Sequence, residues 1–345
     1  MTMSDDLRVG IVGCGRISQY HISSILKTDN AKLVAVCDAN EDLARQTAKK
    51  YKVDSYYTDF TELLSEEHLD AVDIVTSPQT HLRLCTQAME AGCHVLVEKP
   101  LALSIEDVDS MIETASLNKV KLCPVHNVLF LPVLLKTKAL IEKGVIGNLT
   151  GVNITHSLPK DNELVLNREH WCHRLPGGIF GEMLPHVIYL ATSFIKGLEP
   201  VCVYSQKLTR HDWIKSDEIR AILQSENGTA TITVSINGHS NTMDLDIFGT
   251  KASLHVSISN GVVIKHIADE KDRISRSLTG IYTGFQWLAG TTSASLGVIS
   301  GQYHNGHYAL TQKFFKSILN NTDSPVTLKE AREVTRLYQA ITSQI

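Results

Sequence analysis

The stretch VGIVGCGRISQYH, from Val9 to His21, joins an apolar run to a turn with two glycines and then to residues with helical spacing. The apolar run predicts a buried β-strand, and Gly13 permits the tight turn that follows it. Gly15 lets the backbone approach a ligand, and a helix that begins there offers N–H groups and partial positive charge to a phosphate. The stretch therefore predicts either a dinucleotide site or a plain strand–helix corner.

A dinucleotide site at this turn would also include Arg16 and Ile17. Ser18 stands where a third glycine usually occurs, and its small side chain still allows close packing of helix on strand. The next predicted strand favours the dinucleotide site. Asp38 ends the next predicted strand, where a carboxylate binds ribose hydroxyls and repels a 2′-phosphate. No arginine follows it in Ala39-Asn40, so the sequence predicts NAD rather than NADP. The alternative for Asp38 is a strand-end cap.

The first third of the chain alternates apolar runs with amphipathic stretches. Strands are predicted at 7–13, 32–38, 71–77, 94–100 and 120–125. Helices are predicted at 17–27, 41–50 and 81–92, and after Ser104, which has Asp107 as its capping-box partner. Strands that are apolar on both faces and joined by helices are typical of a doubly wound parallel sheet. We therefore predict an α/β fold with an NAD-binding Rossmann domain over residues 1–125.

The pattern changes after about Gly144 to alternating strands with polar turns. Six strands are predicted between residues 201 and 267, and they indicate a large, open, mostly antiparallel sheet whose outer face could pair with a second subunit. The stretch 308–345 is predicted to be helical and to pack back on the first domain. We therefore predict a substrate-binding and oligomerisation domain over residues 126–345.

Composition argues against several classes of protein. The 345 residues are 43% hydrophobic and carry a net charge of −4, with no basic block that would bind nucleic acid or an anionic membrane. The apolar run VLFLPVLL, residues 128–135, is too short to span a bilayer. Seven cysteines occur singly without CxxC, so neither a disulfide framework nor a metal site is predicted. The polar N-terminus resembles no signal peptide, and a cytoplasmic location is expected.

The fourth predicted strand ends in Glu98-Lys99-Pro100, within AGCHVLVEKPLALS. Together with TSPQTH at 76–81, this string resembles the Gfo/Idh/MocA oxidoreductase family, most strongly over residues 7–130. The resemblance implies a Rossmann domain followed by an α/β domain whose open sheet forms homodimers or homotetramers. It also implies NAD(P)-dependent oxidation or reduction of a hydroxyl on a sugar, nucleotide sugar or cyclitol.

The resemblance assigns roles to individual residues. Lys99 is expected to reach both the nicotinamide and the substrate, and Glu98 to lie beneath the nicotinamide side. Asn127 falls near the family's polar position after the fifth strand and is expected to contact cofactor and substrate. The remaining expected cofactor contacts are Thr76, Ser77, Pro78 and His81.

A second family pattern, approximately GGGxLxDxGxH, corresponds to residues 177–186. Its histidine is His186, but Glu182 replaces the aspartate and Leu184 replaces the later glycine. Pro185 is expected either to kink a helix interior or to mark a first turn. Glu182 and His186 are four residues apart, so on a helix they share a face.

These residues suggest how a hydroxyl is oxidised. We expect His186 to accept the hydroxyl proton, because an imidazole takes and returns protons near neutral pH. Lys99 is then expected to orient and polarise the oxygen, although the two roles could be exchanged. Glu182 is expected to orient the imidazole or to bind a substrate hydroxyl.

The stretch REHWCHRLPGG, residues 168–178, is rich in recognition side chains. Trp171 could stack on a sugar ring, with His173 beside it, and Arg174 could bind a carboxylate or phosphate. The alternative is a surface loop anchored by the tryptophan. A second cluster, GQYHNGHY at 301–308, makes Tyr303, His304 and His307 weaker candidates, for which helix capping is an equal explanation.

Three functions remain open from the sequence. The first is an NAD-dependent dehydrogenase. The second is a redox-neutral glycoside hydrolase or lyase that holds NAD tightly and acts through transient oxidation and elimination. The third is a non-catalytic NAD-sensing protein, against which the presence of both Lys99 and His186 argues.

Overall fold

Two β-sheets organise the residues that the computed structural model describes, which are 6–209, 211–267, 273–299 and 305–345. The chain divides into two units with one sheet each. The first unit comprises Met1–Asn127 and Asn305–Arg336, and the second comprises Val128–His304 and Leu337–Ile345.

The sheet of the first unit has six parallel strands in the order β3-β2-β1-β4-β5-β6. They are β1 (Leu7–Val12), β2 (Ala31–Cys37), β3 (Ser55–Tyr57), β4 (Ala71–Ile74), β5 (His94–Val97) and β6 (Leu122–Pro124). This is the strand order of a Rossmann fold, and it reverses between β1 and β4. Ligands of such sheets bind outside the carboxyl ends of the strands at that reversal, so the topology selects the edge where Gly13 and Thr76 follow their strands.

Helices cover this sheet. They are α1 (Ser18–Leu26), α2 (Glu41–Tyr51), α3 (Phe60–Glu66), α4 (His81–Glu90), α5 (Ile105–Leu117), α10 (Gly306–Leu319) and α11 (Leu328–Thr342), the last of which belongs to the second unit from Leu337 onward. The predicted cap of α5 is confirmed, because the Ser104 hydroxyl accepts a hydrogen bond from the Asp107 amide at 3.1 Å. The C-terminal stretch that was predicted to be helical is two helices, α10 and α11.

The predicted fold class is confirmed, but the expected five strands of the first sheet are six. The strand β3 was missed because it has three residues and no apolar alternation, and α3 behind it was missed as well.

The second unit contains a seven-stranded sheet in the order β13-β12-β11-β7-β10-β9-β8. Its strands are β7 (Leu149–Pro159), β8 (Glu199–Gln206), β9 (Glu218–Ser225), β10 (Gly228–Gly238), β11 (Thr242–Gly249), β12 (Ala252–Ser257) and β13 (Val262–Ile267). The strands β7 and β10 are parallel, and the other neighbours are antiparallel.

The expected six-stranded meander is therefore wrong in one respect. The strand β7 lies between β10 and β11 and accounts for the parallel pair. Its alternation of buried Val152, Ile154, His156 and Leu158 was a strand signal, but the run stands apart from the other six in the sequence.

The helices of the second unit are α6 (Pro132–Glu142), α7 (Glu163–Leu166), α8 (Phe180–Phe194) and α9 (Arg273–Ile299). Among them α8 is the most buried, and it packs against β7 and β10. The helix α9 had no predicted counterpart. Within the described residues, no helix combines the length and the hydropathy that crossing a membrane requires.

Candidate cofactor and catalytic site

The two glycines of the turn after β1 differ in how strictly the backbone requires them. Gly13 has φ +100°, and a β-carbon there would lie 2.5 Å from the carbonyl oxygen of Val75. A β-carbon at Gly15 would meet no atom within 4 Å. Arg16 and Ile17 are exposed, and Ile17, whose side chain cannot cap a helix, precedes α1. The turn thus leaves space in front of a helix N-terminus that can attract a phosphate.

Asp38 lies directly after β2 and is oriented by that turn. One carboxylate oxygen accepts a hydrogen bond from the Cys14 amide and the other from the Asn40 amide, both at 2.8 Å. Asp38 lines a cavity of about 270 Å³ together with Gly13 and Thr76. The cavity has the acceptors that a ribose needs beside a turn that a pyrophosphate can approach.

A larger cavity, of about 740 Å³, lies near the amino end of β1. Its polar groups already pair with one another: the Arg8 guanidinium donates to Glu67 at 2.7 Å, and Asp70 accepts from the Arg8 amide at 2.7 Å. Because ligands of doubly wound sheets bind at the carboxyl ends, we assign the cofactor to the smaller cavity.

The loop after β4 is held by hydrogen bonds among its own residues and by a buried histidine. The hydroxyls of Thr76 and Thr80 are 2.7 Å apart, and Thr80 donates to the Ser77 carbonyl at 2.9 Å. The fully buried ring of His81 spans from the Thr76 carbonyl, at 3.1 Å, to the Pro100 carbonyl, at 3.0 Å. Burial lowers the pKa of His81 despite these carbonyls. His81 therefore supports the loop, of which Pro78 is also buried, and its cofactor contact stays a prediction.

Glu98 and Lys99 follow β5 and are both 8% exposed. A Glu98 carboxylate oxygen accepts from the Lys99 amide at 3.0 Å, and the Glu98 amide donates to the Ile74 carbonyl of β4 at 2.9 Å. The main chain at Lys99 is thereby fixed from two sides. The peptide bond between Lys99 and Pro100 is cis.

A buried imidazole joins this segment to β4. His21 on α1 places Nδ1 2.9 Å from an Asp73 carboxylate oxygen and Nε2 2.9 Å from Glu98 Oε1. Burial alone would lower the pKa of His21, but the charges and hydrogen bonds of Asp73 and Glu98 raise it to about 10. For Glu98, burial is outweighed by hydrogen bonds from His21 and His307, which hold its pKa well below the usual value.

His307 lies at the edge of this cluster. Its Nε2 is 3.6 Å from Glu98 Oε1 and 3.2 Å from Asn127 Nδ2, and its ring stacks on Tyr20 with centroids 5.8 Å apart. The nitrogens of His21 and His307 and the Glu98 oxygen lie within 4.8 Å of one another, a spacing that a metal ion could use. In this structure His21 Nε2 and Glu98 Oε1, two of the three atoms, are hydrogen-bonded to each other at 2.9 Å.

Two of the weaker candidates from the sequence, Tyr303 and His304, lie outside the described residues. The third candidate of the stretch 301–308, His307, is described and belongs to the first unit, as do Lys99 and Asn127.

The second unit carries Glu182 and His186 on α8. Both are partly exposed while Met183, Leu184 and Pro185 between them are buried, which confirms that the pair shares a face. Pro185 lies inside the helix, not in its first turn, and it leaves the Gly181 carbonyl without the usual helical donor.

Hydrogen bonds and nearby rings set the position of His186. Its Nδ1 shares a 2.6 Å hydrogen bond with the buried Tyr189 hydroxyl. The ring of His156 on β7 lies edge-on, with centroids 6.3 Å apart. Burial, and to a smaller extent the charge of Glu182, raise the pKa of the Tyr338 phenol on α11.

The tryptophan-rich stretch forms a short helical turn ahead of α8. Trp171 and His173 are half-buried, and burial lowers the pKa of His173. Arg174 is exposed and lies 3.9 Å from the equally exposed Glu169. The proposed substrate contacts of Trp171, His173 and Arg174 stay predictions.

Comparison with known proteins identifies both domains. Residues 7–126 match the oxidoreductase family model with an NAD-binding Rossmann fold, and residues 134–255 match the C-terminal domain model of the same GFO/IDH/MocA group. Inositol 2-dehydrogenase of Rhizobium meliloti is 30% identical over 231 residues, which are 66% of this chain and 67% of that protein. The chain belongs to the Gfo/Idh/MocA family of oxidoreductases.

Other relatives agree with this family. Myo-inositol 2-dehydrogenase of Thermotoga maritima is 35% identical over 193 residues, 56% of each chain, so the match spans little more than half of that relative. The structure of the WlbA dehydrogenase from Bordetella pertussis in complex with NADH and UDP-GlcNAcA has a TM-score of 0.81 at 21% identity, covering 99% of this chain and 96% of that one. At 21% identity, this similarity shows a shared fold and nothing further.

The first unit fits the NAD that characterises this Gfo/Idh/MocA domain. The open face at Gly15, the oriented carboxylate of Asp38 and the cavity beside them suit the pyrophosphate and a ribose without a 2′-phosphate. The predicted cofactor is therefore confirmed at the level of the family, while the contacts of single residues stay predictions.

Sequence reasoning missed three residues of these clusters, His21, Asp73 and His156. Each is a buried polar residue, and a buried polar group needs a partner. That signal was present in Asp73, which lies inside the apolar strand AVDI. Its partner was not predictable, because His21 lies 52 residues before Asp73 and 77 residues before Glu98.

Proposed function

We propose that the chain is an NAD-dependent dehydrogenase that oxidises a secondary alcohol of a cyclitol, sugar or nucleotide sugar, or reduces the matching ketone. The observation that carries this proposal is the position of Lys99. It follows β5 at the same carboxyl edge of the sheet where the glycine turn follows β1 and Asp38 follows β2, and its side chain is buried. A buried lysine at a cofactor edge suits a catalytic role better than a role in solvation.

The chemistry requires that a hydride and a proton leave the same CH–OH group. NAD, which the first unit would hold, would supply the acceptor for the hydride and its donor in the reverse direction. The C–H electron pair leaves with the hydride, the O–H proton passes to a base, and the carbon–oxygen bond becomes a carbonyl.

Two side chains of this chain serve the oxygen. Lys99 Nζ donates a hydrogen bond that polarises it, and His186 accepts the proton. Glu182 binds a neighbouring substrate hydroxyl from the same helix face. The names of the relatives, inositol 2-dehydrogenases, support a polyol ring as the substrate class.

The test is a substrate screen. The protein is incubated with NAD and one candidate substrate at a time, drawn from cyclitols, aldoses, uronic acids and nucleotide sugars. The NADH formed is followed by absorbance. We expect net NADH with at least one class. Product release without net NADH would support the redox-neutral alternative, and binding of NAD without any turnover would support a sensor.

Matched variants then assign the chemistry. Lys99→Ala should lower kcat by about 10²–10⁴-fold, the usual contribution of a polarising or acid–base group. Lys32→Ala, at an exposed position near the amino end of β2, is the control and should leave kcat unchanged. An active Lys99→Ala protein would contradict the proposed role.

We further propose that the chain forms a homodimer or homotetramer through the outer face of the seven-stranded sheet. That face carries Tyr204, Ile222 and Phe248, each at least 40% exposed. Ile222→Lys with Phe248→Lys should reduce the mass measured by light scattering, whereas Leu117→Lys in the first unit should not. The cytoplasmic location stays a prediction from the sequence.

A further inference from the structure

A chain of three buried ionisable side chains lies behind Lys99. It runs from Asp73 on β4 through His21 on α1 to Glu98 after β5. Asp73 is 0% exposed, His21 1% and Glu98 8%, so water contributes little to solvating their charges.

With Asp73 and Glu98 both ionised, these contacts require His21 to donate from both ring nitrogens. Ionised carboxylates accept hydrogen bonds and donate none, and only a protonated imidazole has two N–H groups. A cation between Asp73 and Glu98 also offsets the cost of burying two negative charges. His307 on α10 also faces the triad, with its Nε2 3.6 Å from Glu98 Oε1, and the charge of Lys99 acts on Glu98 as well. The Glu98 charge in turn acts on the buried rings of His81 and His126. The arrangement is therefore stable as an ionic triad.

The triad ends on the backbone of the catalytic lysine. Glu98 uses one oxygen for His21 Nε2 and the other for the Lys99 amide, at 2.9 and 3.0 Å. With the oxygens divided in this way, rotation of the Glu98 carboxylate would break both bonds. The orientation of His21, set by Asp73, thus fixes the main chain from which the Lys99 side chain extends.

We propose that His21 is a positioning residue for Lys99, acting through Glu98 and itself held by Asp73. The proposal rests on the proposed function, because it assigns a purpose to the placement of Lys99. The side chain of His21 is only 1% exposed and acts through its neighbours. Its removal should therefore affect the chemical step more than cofactor binding.

The first test needs no substrate. Histidines are labelled with ¹⁵N in the protein without cofactor, and the His21 signal is assigned by its loss in His21→Gln. We expect both ring nitrogens of His21 to remain protonated at pH 8.5, above the usual histidine pKa of about 6.5. A neutral His21 at that pH, or a stoichiometric metal ion in the purified protein that a chelator removes, would overturn the proposal.

The second test uses turnover. His21→Gln should lower kcat by about 10²-fold, the cost of misplacing a catalytic group by about 1 Å, and leave the NADH dissociation constant unchanged. His21→Ala should recover part of its kcat in added imidazole, which can refill the vacated space. The control is His94→Gln, at the opposite end of β5, where Nδ1 accepts from the Lys121 amide at 2.9 Å.

The two tests separate the failures. If the wild-type protein oxidises no substrate, the proposed function fails, while the ionisation of His21 still decides the triad. If the wild type is active and His21→Gln keeps its kcat, the positioning role is wrong. A fall in NADH affinity as large as the fall in kcat, without rescue by imidazole, would reduce His21 to a structural residue and overturn the proposal as well.

Discussion

At the scale of single residues, the two glycines of the turn have different tasks. Gly13 is required by the backbone, since its φ is +100° and a β-carbon would collide with the Val75 carbonyl. Gly15 has no such neighbour. We therefore propose that its small size serves a ligand that approaches from outside. This separation makes the role of each glycine testable.

We predict that Gly13→Ala lowers the free energy of unfolding by about 1–3 kcal/mol, the typical strain of a side chain in the left-handed region with a clash added. Gly15→Ala should keep the melting temperature of the wild type but raise the dissociation constant of NADH at least about tenfold, or 1.4 kcal/mol. Thermal unfolding and NADH fluorescence measure the two effects. A stable Gly13→Ala protein, or unchanged NADH affinity of Gly15→Ala, would contradict this division.

We propose that Asp38 selects between the two dinucleotides. Its carboxylate is aimed by the Cys14 and Asn40 amides, and a negative charge there disfavours a 2′-phosphate. We predict that Asp38→Ser lowers the ratio of kcat/KM for NAD to that for NADP by about 10–10²-fold, the worth of a charged hydrogen bond. Asp42→Ser, an exposed position on α2, is the control. An unchanged ratio in Asp38→Ser would remove Asp38 from cofactor selection.

At the scale of elements, local rules predicted some features and not others. The strand that precedes Gly13 and the cap at Ser104 were predictable, because both depend on neighbours in the sequence. The triad around His21 was not, since three separate elements bring its members together. The strand β7 shows the same limit, because its parallel pairing with β10 joins segments far apart in the chain.

The cap of α5 offers a test of local stability that is independent of the chemistry. The Ser104 hydroxyl accepts from the Asp107 amide at the start of the helix. We predict that Ser104→Ala lowers the free energy of unfolding by about 1 kcal/mol, the usual cost of losing a cap. Ser104→Asp should keep the stability, because aspartate caps equally well. Urea unfolding checks both, and NADH affinity should be the same in all three proteins.

At the scale of the whole molecule, the buried triad makes stability depend on pH. The pKa of His21 rises from about 6.5 to about 10 on folding, so the folded protein holds an extra proton between those values. This contribution is complete below pH 6.5 and is lost as the pH rises toward 10. The low pKa of Glu98 acts in the other direction, because its stabilisation is present above its ordinary pKa of about 4.5 and is lost as the pH falls.

We therefore predict that the melting temperatures of wild type and His21→Gln differ most between about pH 4.5 and 6.5 and converge as the pH approaches 10. Other groups also titrate, among them His126, whose pKa burial lowers to about 3. Both proteins contain His126, so its effect cancels in the difference. Thermal unfolding in a series of buffers gives the two curves. Parallel curves between pH 6.5 and 10 would mean that His21 carries no extra proton in the folded protein, and the ionic account of the triad would then be wrong.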